Sequence, residues 1–141
     1  YHYAFRKPMF FRLDGIRKIK TMDVDPNPEK YEEFWKDFDQ HLWGVSTDEH
    51  TLDHIEMHVH AGPDEWFIAD RLKREKRHGV VEQIDDETWK FTADVYDVSE
   101  MMPWIRTFIG RIVKLECSNA NVTRLFREDL EKMRCLYGGE P

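Results

Sequence analysis

Between residues 52 and 61 apolar and polar side chains alternate: Ile55, Met57, Val59 and Ala61 against His54, Glu56, His58 and His60. A period of two predicts a strand with one face buried and one wet. Pro63 then opens a helix carrying Trp66, Phe67, Ile68 and Leu72, which runs into a basic stretch and stops near Gly79. A short strand over 80–84 follows, and Asp85-Asp86-Glu87 turns the chain into a second alternating strand. There Trp89, Phe91, Ala93 and Val95 face one way and Lys90, Thr92, Asp94 and Tyr96 the other, so the two strands form an antiparallel hairpin. Ser99, with Glu100 behind it, is placed to N-cap a helix whose apolar stripe is Met101, Trp104, Ile105 and Phe108 and whose end is Gly110. A fourth strand over 111–117 leads to a closing helix with Val122, Leu125, Phe126, Leu130, Met133 and Tyr137 on one face.

The predicted class is α+β: a ferredoxin-like β-α-β-β-α-β domain over 51–141 with an extra C-terminal helix. Right-handed crossovers put both inner helices on one side of a four-stranded antiparallel sheet and leave its other face open. Ahead of it, 23–50 is an acidic linker and a connecting helix, with Tyr31, Phe34, Trp35, Phe38 and Leu42 at three- and four-residue steps. Residues 1–22 read as two strands joined at Arg6-Lys7-Pro8. An isolated hairpin is marginal in water, so it is expected to be a remnant of a larger sheet whose other strands lie upstream.

Charge is unevenly spread within a net of −7. Residues 1–20 hold six Lys/Arg against one Asp, and residues 21–70 two against fourteen acids. A basic head and an acidic middle suit local contact with an anion and disfavour coating of bulk nucleic acid. With 40% apolar residues the chain can bury a core, yet no run approaches the roughly 20 apolar residues of a membrane span and no signal peptide is recognisable. A cytoplasmic protein without membrane contact is expected, with Cys117 and Cys135 as reduced core thiols.

The sharpest candidate for metal chemistry is the alternation His54, His58, His60, because alternate strand residues share a face about 7 Å apart. No second half of a zinc motif accompanies it, so no metal and no cofactor is assigned. Phosphate-cradling glycine loops and nucleophile elbows are absent, and the carboxylates fall on exposed helix faces and turns. Binding without catalysis is the expectation. The basic groups form two clusters, Arg6, Lys7, Arg12, Arg17 and Lys18 near the N-terminus and Arg71, Lys73, Arg74, Lys76 and Arg77 at a helix end. Guanidinium forks match phosphate, so Arg12, Arg6, Arg17, Arg74 and Arg77 are the candidate ligands of an anion or nucleic acid.

Phe11-Arg12-Leu13-Asp14-Gly15-Ile16, followed by Arg17-Lys18-Ile19, resembles the final strand of the bacterial WYL domain, an Sm-like β-barrel. Trp43-Gly44-Val45, Asp97-Val98-Ser99-Glu100, Trp104 and Phe108-Ile109-Gly110-Arg111-Ile112-Val113 are similar to the C-terminal extension, called WCX, that follows such domains. The resemblance implies the ligand-sensing and dimerising part of a transcription regulator, with a helix-turn-helix upstream and a nucleic-acid or nucleotide-like effector. Arg12 is the family arginine it carries over, while Gly15 stands where the family pattern has Arg. The other reading is an independent ferredoxin-like module that binds a small molecule or metal on the open face through His54, His58 and His60.

Overall fold

The computed structural model describes residues 9–21, 23, 28–46 and 52–138, except for the side chains of Pro28, Lys30, Tyr31, Glu33, Phe34 and Asp37. The order of elements is α1 (Pro28–Gln40), β1 (Leu52–His60), α2 (Trp66–Glu75), β2 (Val80–Gln83), β3 (Thr88–Tyr96), α3 (Met102–Arg106), β4 (Ile112–Cys117) and α4 (Ala120–Tyr137). The four strands make one sheet in the order β2-β3-β1-β4, and every neighbouring pair is antiparallel.

Alternation sorts the side chains as expected. Ile55, Met57 and Val59 of β1 and Phe91, Ala93 and Val95 of β3 are buried in one cluster with Ile68 and Leu72 of α2, Met102 and Ile105 of α3, and Val122 and Phe126 of α4. Among the described residues no buried side chain is polar or charged. Gly79 shows how tightly β3 is covered: a Cβ there would lie 2.9 Å from the Thr92 carbonyl oxygen and collide with the Phe91 ring.

Helix boundaries moved where caps compete. Residues 62–65 form a turn rather than the start of α2, because the Glu65 carboxylate folds back to accept from the Gly62 N–H (3.1 Å). Ser99 is not the cap of a long helix. It lies inside a 3-10 turn, Val98–Met101, entered through Asp97 at φ 45°, and only Met102–Arg106 is α-helical before Gly110 reverses the chain at φ 83°. Asn119 caps α4, its side chain accepting from the Asn121 N–H (3.1 Å). Cys117 is half-buried and burial pushes its thiol up, whereas Cys135 is exposed and does not belong to the core.

The N-terminal hairpin does not appear among the described residues; its first strand and Arg6 lie outside them. Residues 9–21 contain no strand. Arg12 and Asp14 pair with each other and the backbone closes a 3-10 turn over Leu13–Gly15, with Gly15 N–H donating to Arg12 O (3.0 Å). With no partner strand beside it among the described residues, an apolar-alternating segment has nothing there to fix it as a strand.

The chain passes from one sheet face to the other between α1 and β1. Phe38 of α1 is buried and stacks on Tyr96, which stands on the polar face of β3 (ring centroids 5.3 Å apart). The side chains of Tyr31 and Phe34 lie outside the described ones. Leu42 then makes a parallel bridge to Tyr96, and Trp43 enters the core on the opposite face beside Trp104 (4.9 Å) and Phe91 (6.2 Å). The Glu100 carboxylate latches the crossing by accepting from the Val45 and Ser46 N–H groups (3.1 Å each).

Candidate functional site

Because α1 covers only the Tyr96 end of the polar face, it leaves a groove of about 640 Å³ between helix and sheet. This lies within the roughly 300–1,000 Å³ of small-molecule pockets. The floor is the polar face itself: His54 of β1, Thr92 and Asp94 of β3, and Val80 of β2. Trp35, Lys36, Asp39 and Gln40 of α1 line it, with His41 and His78 from the loops.

Two imidazoles are held by one residue. His41 Nδ1–H donates to the Asp94 carbonyl (2.8 Å), and His54 Nδ1–H donates to the Asp94 carboxylate (2.8 Å). A carbonyl and an ionised carboxylate only accept, so each ring carries its proton on Nδ1 and keeps Nε2 as an acceptor when neutral. His78 is 3.8 Å from Asp39, too far for a hydrogen bond. Among the described residues Lys36, Gln40 and Thr92 have no side-chain partner.

The rest of the polar face is spoken for. Glu56 accepts from Lys114 (2.8 Å) and from His58 (2.8 Å); these two bonds, Lys114 first, hold its carboxyl below the usual range. Lys90 pairs with Glu82 (2.7 Å), and His60 approaches Glu87 at 3.9 Å. His54, His58 and His60 therefore turn to three different carboxylates. Among the described residues no group of three or more His, Cys, Asp or Glu is arranged to hold a metal ion.

The basic helix cluster is dispersed in the same way. Arg74 pairs with Asp70 (3.2 Å), Arg71 with Glu75 (3.0 Å), and Lys76 donates to the Gly79 carbonyl (3.0 Å). Lys73 lies over Trp89 (4.0 Å) and Arg77 over Trp43 (5.2 Å). Burial pushes Glu75 up, but hydrogen bonds from Arg71 and the Trp104 indole N–H outweigh it and hold the carboxyl low. Arg74 and Arg77 thus face different partners and do not form a shared anion cradle. Arg12 is exposed and held only by Asp14, and Arg17 is exposed with no ion-pair partner among the described residues.

The groove was not legible in the sequence. His41, His78, Asp94 and Trp35 carry no shared motif, and the one signal is that Asp94 and His54 both fall on the polar phase of their strands. Their apposition depends on the register, which sets His54 opposite Asp94. No family model, no curated protein and no solved structure matches this chain.

Proposed function

We propose that this chain is the ligand-sensing and dimerising region of a bacterial transcription regulator of the WYL type, which binds an anionic, nucleotide-like effector without turning it over. In this reading residues 52–138 are a ferredoxin-like WCX domain, and the strand order β2-β3-β1-β4 with all neighbours antiparallel supports it. The observation that carries the reading lies further forward. Leu13 and Ile19 stand exposed, at 85% and 84%, on a segment with no sheet partner among the described residues, ahead of a helix that is docked on the domain. Apolar side chains so arranged suit a strand whose partners lie outside the described residues.

Arg12 serves as the anion contact on physical grounds as well. Its pair with Asp14 is solvent-exposed, and such pairs contribute little, so a phosphate can displace the carboxylate readily. Arg17, nearby in sequence, is exposed and has no ion-pair partner among the described residues. The regulator would act as a homodimer, with a helix-turn-helix upstream reading DNA.

The test is binding of a short 5′-phosphorylated oligonucleotide across a salt series. Affinity should fall as salt rises, and Arg12→Ala should weaken it several-fold and flatten the salt slope by about one contact. No binding at low salt, or binding indifferent to Arg12→Ala, overturns the assignment.

A further inference from the structure

The groove has a chemistry of its own that the anionic effector at Arg12 does not use. Its lining offers imidazole Nε2 acceptors on His41 and His54, both oriented by Asp94. Beside them are the Thr92 hydroxyl and the Gln40 amide, which make no hydrogen bond among the described residues. One wall is aromatic: Trp35 is 41% exposed, braced edge-on by Phe10 (5.7 Å) and at a tilt by Phe38 (6.0 Å). Lys36, the groove's one lysine among the described residues, marks the α1 side.

Each feature selects against an alternative. Two carboxylates, Asp39 and Asp94, beside a single lysine disfavour a bare phosphate or sulfate. A purely apolar ligand would leave the acceptors unmatched once water is displaced. A metal ion has no converging third ligand among the described residues. What matches is a flat ring that presents N–H donors from its edge, shields the Trp35 wall, and tolerates one phosphate near Lys36.

We propose that the groove between α1 and the polar sheet face is a binding site for a planar N–H-donating heterocycle, of which an aminopurine or aminopyrimidine base is the simplest kind. The site stands whether or not the chain is a transcription regulator. Its recognition works through acceptors: the ligand's amino or ring N–H groups meet His41 and His54, while Thr92 and Gln40 supply the complementary donors and acceptors that fix the ring's orientation. The structural consequence is that α1, and with it the preceding segment, would be held more firmly against the sheet when the groove is filled.

The test uses the full chain and backbone amide NMR, with adenosine, AMP and ribose 5-phosphate as probes. Adenosine and AMP should shift the amides of His41, His54, Thr92 and Asp94, and ribose 5-phosphate should not. His54→Ala and Thr92→Val, both on the solvated face and so harmless to the core, should each weaken adenosine binding by up to about tenfold. His58→Ala, on the same face outside the groove, should leave it unchanged. Equal response to ribose 5-phosphate, shifts confined to other regions, unchanged affinity in both groove variants, or no shift with either base-bearing probe at millimolar concentration would each overturn the proposal. Arg12→Ala should leave adenosine binding unchanged, so the two sites fail or stand separately.

Discussion

The two faces of β1 and β3 are built from the same strands and obey different physics. On one face Ile55, Met57, Val59, Phe91 and Val95 meet three helices and exclude water, and nothing polar among the described residues is buried with them. On the other, His54, Glu56, His58, Lys90 and Asp94 form a mesh of ion pairs and hydrogen bonds left to solvent except where α1 overhangs it. Burial makes the first face the source of stability, whereas the second contributes little stability and retains chemistry free for recognition.

The contrast is most sharply tested at its core side. Phe91→Ala removes a ring that is fully buried between Trp43, Trp104 and the Gly79 backbone, and should destabilise the domain by about 3–5 kcal/mol, read by urea denaturation. A loss below about 1 kcal/mol would mean that the core face is not close-packed.

An intermediate effect belongs to the ion pair that closes one end of the sheet. The Arg111 fork, then the Gly62 N–H, hold Glu65 at about 2 against an ordinary 4.5. The folded carboxyl is therefore the stronger acid, and the unfolded chain takes up more protons between those values. Its stabilisation is complete above about pH 4.5 and lost as pH falls toward 2. Glu65→Gln should lower the neutral plateau of a melting-temperature profile and shallow its acid limb, the variant converging on the parent as pH falls toward 2. An unaltered acid limb would show that the pair is not formed in solution.

The smallest change is expected on the open face. Glu56→Gln breaks the charge link to Lys114 and His58 but leaves a polar group in a solvated site, so the loss should stay within about 1 kcal/mol. A larger loss would erase the distinction between the two faces.

Strand phase was readable because a half-buried strand must alternate, and residues 54–60 and 88–96 alternate without interruption. The helix ends were less readable: Glu65 and Asp97 make local turns that compete with helix starts at Pro63 and Ser99, and their outcome depends on contacts across the fold, such as Arg111 on Glu65. The candidate arginines illustrate the limit. Arg71, Arg74 and Arg77 look like one basic cluster in the chain, yet each side chain finds its nearest favourable partner, an acid one turn away or an aromatic ring, and the cluster dissolves.

By itself the sequence determined which phase of β1 and β3 enters the core, the succession of strands and helices from residue 52 onward, and the amphipathic character of the connecting helix, because these follow from side-chain periodicity alone. The tertiary structure decided the rest. It brought residues distant in the chain, Trp35, His41, His54, His78 and Asp94, around one groove, because strand register and the crossing at Leu42 and Trp43 are settled only when both faces of the sheet find their partners.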